Sequence, residues 1–214
     1  MSTSKHSLTQ SLTTMTTLTR ILGVFLIGAA LAACSSQAQS PPPPEQQIAA
    51  AVQAAPADMQ ENATVLGYGD NGELTTLREG SNPLICLADD PADEGFHVSC
   101  YHESLEPFMQ SGRDLRAQGH DRAAVDSIRM ARIEAGELSM PDHPASLYSL
   151  SGDDARYNPE TGEVTGASPL YVIYAPFETG ATTGLPTRPD GNKPWLMEPG
   201  TPWAHIMVQP SSGN

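Results

Sequence analysis

The stretch LICLADDPADEGFHVSCY, residues 84–101, holds two short apolar runs separated by an acidic loop. Each run has strand length and is bounded by turn-forming residues, which is the pattern of two paired β-strands. In the second run Phe96, Val98 and Cys100 alternate with His97, Ser99 and Tyr101, so the two sets face opposite sides of a sheet. The loop between the runs carries Asp89, Asp90, Asp93 and Glu94. On the N-terminal side, ATVLGY (63–68) and ELTTLR (73–78) flank Gly69-Asp70-Asn71-Gly72, the turn chemistry of a β-hairpin. Before them, residues 46–55 read as an Ala-rich helix ended by Pro56.

On the C-terminal side a helical pair follows. Ser104 is the expected N-cap of the first helix and Pro107 fits its first turn. Leu105, Phe108, Met109, Gly112 and Leu115 then recur at helical spacing until Gly119. Asp121 is the expected cap of the second, with Ala124, Val125, Ile128, Ala131 and Ala135 on one stripe. Arg113, Arg116, Arg122, Arg129 and Arg132 fall on this pair, where they read as a solvated face with pairs such as Asp126 to Arg129. Residues 145–150 form a short element, residues 158–162 a turn, and PLYVIYA (169–175) is apolar enough for a central strand. A proline-rich loop spans 176–203 with six prolines, and AHIMV (204–208) closes the folded part. Strands, then two helices, then strands predict an α+β fold: one domain over 46–214, a mostly antiparallel sheet and a two-helix layer.

The chain has 214 residues, with 25 Asp and Glu against 11 Lys and Arg, for a formal charge of −14. Such a surface argues against nucleic acid as a partner, because that binding depends on basic patches.

Residues 21–33, ILGVFLIGAALAA, carry no charge, follow Arg20 and end at Cys34. The run suits a secretory signal and is short of the roughly 20 residues of a membrane-spanning helix. Its end, Leu31-Ala32-Ala33-Cys34, resembles the lipobox of bacterial lipoprotein precursors. The resemblance covers residues 1–34. It implies a signal peptide over 1–33, removed before Cys34, and lipidation of the Cys34 thiol. Each buried CH₂ of the acyl chains contributes about 0.8 kcal/mol to anchoring. Ser35 in the next position resembles the default sorting to the outer membrane, facing the periplasm or the surface. Residues 34–45 then form the lipidated cysteine and a spacer stiffened by Pro41, Pro42, Pro43 and Pro44 in polyproline II form. Lipidation would leave Cys86 and Cys100 in an oxidising compartment, which favours a disulfide; two buried free thiols are the alternative. Without Lys5 and Arg20 the mature chain carries a formal charge of −16.

Chemistry-bearing residues are sparse in pattern. His97, His102, His143 and His205, with the carboxylates of the 89–95 loop, are the ligand types that zinc takes. Their spacing matches no helical HExxH, and His97 and His102, five apart on one strand, face opposite sides. Ser149-Leu150-Ser151-Gly152 is not a GxSxG elbow, and the acidic loop lacks EF-hand spacing. No cofactor is implied. Trp195, Met197 and Trp203 fall in or beside the proline-rich loop, where they form either a binding edge or a lid packed on the sheet. The expected function is a membrane-anchored envelope lipoprotein with a non-catalytic domain that binds an envelope protein or a small ligand. The alternative is an envelope hydrolase, with or without a metal, built on His97, His102, His143 and His205.

Overall fold

The computed structural model describes residues 40–210. The expected signal peptide over 1–33, Cys34 and the part of the expected spacer up to residue 39 lie outside the described residues. The fold is α+β, a single domain built on one large, mostly antiparallel sheet. In chain order its strands are β1 (Thr64–Tyr68), β2 (Leu74–Arg78), β3 (Leu84–Leu87), β4 (Phe96–His102), β5 (Ala145–Gly152), β8 (Ser168–Tyr174), β9 (Trp195–Met197) and β10 (His205–Val208). A separate two-stranded ribbon joins β6 (Arg156–Asn158) and β7 (Glu163–Thr165). The eight strands lie in the order β2-β1-β3-β4-β5-β8-β10-β9, and of these pairings only β1 with β3 is parallel.

Alternation along the central strands sends two sets of side chains to two faces. On one face Val65, Leu84, Cys86, Phe96, Val98 and Cys100 meet Ala50, Ala51, Ala54 and Ala55 in the main core. Those alanines belong to helix α1 (Pro44–Ala51) and the 3₁₀ turn that continues it. The helix starts two residues before the predicted boundary, because Pro44 sits in its first turn, where a missing N–H costs nothing. The last proline of the spacer is therefore helical, while Pro43 keeps an extended backbone.

One side chain docks α1. Gln47, only 4 % exposed, accepts the Tyr68 N–H with Oε1 at 2.8 Å. Its Nε2 donates to the carbonyls of Tyr68 at 2.9 Å and Pro42 at 2.7 Å. This approach requires a glycine in β1: a Cβ on Gly67 would fall 2.6 Å from Gln47 Oε1 and 2.4 Å from Leu77 Cδ1.

Cys86 and Cys100 are direct cross-strand partners in β3 and β4, both fully buried, and they form a disulfide. It staples the two strands first singled out in the sequence, directly beneath α1.

The opposite face carries Tyr101, Ala145 and Leu147 under helices α2 (Glu106–Ala117) and α3 (Arg122–Glu134). His102, rather than Ser104, caps the turn that opens α2, accepting the Ser104 N–H on Nδ1 at 3.2 Å. Asp121 caps α3 through Ala124 N at 2.9 Å, as its position predicts. The buried stripe of α3 differs from the predicted one. Val125 and Arg129 point inward while Ala131 and Ala135 are exposed. Arg129, 8 % exposed, lies with Cζ 3.9 Å from the centre of the Phe108 ring and donates Nη2 to the Phe108 carbonyl at 2.8 Å. A Cβ on Gly112 would fall 1.7 Å from that Nη2, so the glycine is the notch that receives the guanidinium. Asp126 pairs with Arg122 instead, at 3.9 Å.

Residues 176–203 contain a short helix, α4 (Gly180–Thr183), and the edge strand β9. Trp203 stacks on Phe108 at 5.9 Å, which packs this part of the chain back onto α2.

Candidate functional site

The end of the sheet where β4 and β8 finish and β5 and β10 begin gathers most of the candidate chemistry. There a cleft of about 550 Å³ is lined by Met140, Pro141, Asp142, His143 and Pro144 before β5, by Ala175, Pro176, Phe177 and Glu178 after β8, and by Ile133, Thr183 and Ile206. Its walls are mainly apolar, with Asp142, His143, Glu178 and Thr183 supplying the polar groups. Among the described residues no Lys or Arg lines it.

His143 Nδ1 lies 2.7 Å from Asp142 Oδ1. That hydrogen bond, first among the causes, holds the Asp142 carboxyl below its ordinary range. Both side chains are solvent-exposed. The His102 ring meets His143 edge-on, with centroids 5.9 Å apart, while its Nδ1 also contacts Ser104 Oγ at 2.8 Å. His205 is held elsewhere. Its Nδ1 is 2.7 Å from the Trp203 carbonyl, so that nitrogen carries the proton, and its ring lies on Tyr174 at 5.2 Å. His97 sits at the far end of β4, exposed, with its backbone N–H donated to Asp89. Of the four candidate histidines, two thus come together, one packs against a tyrosine and one lies at the opposite end of the sheet. Among the described residues no group of three or more His, Cys, Asp and Glu side chains could hold a metal ion.

Near His97 a second cleft, about 450 Å³, is lined by Asp89, Asp90, Asp93 and Asp153 together with Phe96, Arg156 and Tyr157. Burial first, and then Asp90 and Asp93, raise the carboxyl of Asp89 above its usual range, against the lowering effect of the His97 N–H. Burial, and then the neighbouring Asp90, likewise raise the Tyr68 hydroxyl.

A closed polar network fixes α2 on the sheet. The Tyr101 hydroxyl donates to Glu106 Oε2 at 2.5 Å and accepts from Arg113 Nη1 at 2.9 Å, while Arg113 Nη2 donates to Glu106 Oε1 at 2.6 Å. Burial and the Glu106 bond push the Tyr101 hydroxyl above its usual range. The three side chains satisfy one another, so the network anchors the helix on the sheet.

Comparison with known proteins finds no matching family model, no matching curated protein and no matching solved structure. The signal missed in the sequence is in PLYVIYA and the two residues after it, apolar on both faces. β8 does lie centrally, between β5 and β10. Yet Tyr171 is 40 % exposed, Ile173 38 % and Phe177 59 %, and they are the large hydrophobic residues exposed among the described residues.

Proposed function

We propose that the chain is a lipid-anchored lipoprotein of the bacterial cell envelope whose α+β domain binds a partner and carries out no catalysis of its own. The observation that carries this reading is the disposition of the cysteines. Cys86 and Cys100 are joined inside the core, which suits an oxidising compartment. The third cysteine, Cys34, ends the apolar run in a lipobox-like LAAC. The binding role is supported by exposed apolar side chains concentrated on β8 and just after it, with Phe177 lining the cleft; grouped on a protein surface, such side chains mark interaction sites.

Crosslinking of the full-length chain in its own membranes, with Cys34→Ala beside it, tests the reading. One stoichiometric partner that is lost with the anchor is expected. A Cys34→Ala chain that has lost residues 1–33 yet still fractionates with membranes and keeps the same partner refutes the lipid anchor.

The hydrolase reading keeps one observation in its favour, the Asp142–His143 pair on the cleft rim. A carboxylate that orients an imidazole is the arrangement of a general base. An ester or peptide hydrolysis abolished by His143→Gln, with folding unchanged, would establish it in place of the binding module.

A further inference from the structure

The exposed apolar residues form a continuous strip. Ile206, in the cleft, is the direct cross-strand partner of Ile173, and Val208 is the partner of Tyr171, so all four share one sheet face. It is the face that α1 covers farther along, since Tyr148, which packs into the core beneath α1, meets Tyr171 edge-on at 5.7 Å. Phe177 stands at the cleft end of the strip. Its backbone is held at φ 65°, the left-handed region that glycine prefers, by Phe177 N–H donated to the Thr201 carbonyl at 2.8 Å. A bulky side chain is thus fixed in an unfavourable conformation and left mostly in water. Such strain is kept where it positions a group for function.

We propose that this strip, Phe177, Ile206, Ile173 and Tyr171, is the docking site for a basic, apolar-faced polypeptide segment of another envelope protein. The proposal rests on the domain being a binding module. Charge complementarity selects the occupant: Asp142 and Glu178 border the cleft, no Lys or Arg among the described residues lines it, and the chain is −14 overall. A second copy would set acidic rims against each other across a self-complementary interface. Anionic lipid headgroups would meet the same repulsion. Lysine or arginine beside apolar side chains satisfies both the strip and its rim.

The test uses the full chain with Cys34→Ser, which keeps lipid out of the assay, and a fluorescent amphipathic Leu/Lys peptide, with a Leu/Glu peptide of the same apolar pattern. Anisotropy should show the Leu/Lys peptide binding about tenfold or more tightly than its acidic counterpart. Phe177→Ser and Ile173→Ser, both at exposed positions, should each weaken binding by about tenfold with thermal stability retained. Asp142→Asn with Glu178→Gln should remove the preference for Lys, whereas Asp58→Asn with Glu79→Gln, of equal charge but beside the opposite edge of the sheet, at β1 and β2, should not. Equal loss from the two charge pairs, or no effect of Phe177→Ser, means attraction to net charge alone and overturns the proposal. So does a dimer in sedimentation that Phe177→Ser dissolves, or flotation of this unlipidated chain with phosphatidylcholine vesicles that Phe177→Ser abolishes. Membrane crosslinking to a partner through a different face, without peptide binding here, overturns the strip and leaves the anchored binding module standing. Peptide binding in a chain that never reaches the membrane does the reverse.

Discussion

Gly112→Ala isolates the contact that joins α2 to α3. An alanine in a helix interior is ordinarily favoured over glycine by about 1 kcal/mol. Here the added Cβ would lie 1.7 Å from Arg129 Nη2 and 2.4 Å from its Cζ, so the guanidinium must leave. Its departure forfeits the bond to the Phe108 carbonyl, a charged hydrogen bond worth about 1.5–3 kcal/mol. It also forfeits the placement over the Phe108 ring, worth about 1–2 kcal/mol when desolvated. The net expectation is a loss of about 2 kcal/mol, or roughly 4–8 °C in Tm for a domain of this size. In an Arg129→Ala background nothing fills the notch, and the same substitution should instead raise stability by about 1 kcal/mol, its helix-propensity term alone. Urea unfolding of the four proteins gives the coupling directly. A Gly112→Ala effect of the same sign and size in both backgrounds refutes the notch. Arg129 is also held down to about pKa 10, by burial first and by Arg116 second, as expected for a guanidinium with little water around it.

Removing the disulfide with Cys86→Ser and Cys100→Ser, which opens a loop spanning 14 positions, should cost about 3 kcal/mol by chain entropy, read as a fall in the urea midpoint. Gln47→Leu leaves the Tyr68 N–H and the carbonyls of Tyr68 and Pro42 without their partner, and should lower stability by about 2–3 kcal/mol in the same assay. Asp89 has its carboxyl pKa raised in the folded state. The folded chain thus holds that proton more tightly than the unfolded one, and the resulting stability is present below about pH 4 and lost as pH rises through the folded value. Asp89→Asn, which keeps an acceptor for the His97 N–H without the charge, should therefore melt above the parent at pH 7, with the gap closing at pH 3.

Alternation was readable in FHVSCY, and it placed Phe96, Val98 and Cys100 on the face where the structure has them. The α+β order and the Asp121 cap were readable for the same reason: the signals are local. β5 was harder, since ASLYSLSG puts serines on both faces and has no clean apolar period. Its Ser149 is buried opposite Ser99. The turn read at 158–162 is the tip of the β6–β7 ribbon, whose Tyr157 and Val164 join the core beneath α1. Arg129 was invisible as a core residue because an arginine on an amphipathic helix ordinarily faces water, and only Gly112 on a different helix makes room for it. The cleft was illegible for a similar reason. Its residues come from the segments before β5, after β8 and along β10, and their meeting follows from strand order, which no local pattern encodes. His102 and His143 meet by that same order, and His97 is sent away by it.

The anchored-lipoprotein account is tested most directly by the intact mass of the protein extracted from its native membranes. The account predicts a chain that begins at Cys34, carries the added mass of acyl chains on that residue and retains the Cys86–Cys100 bridge. A chain that keeps residues 1–33, or one that begins at Cys34 with an unmodified thiol, contradicts it.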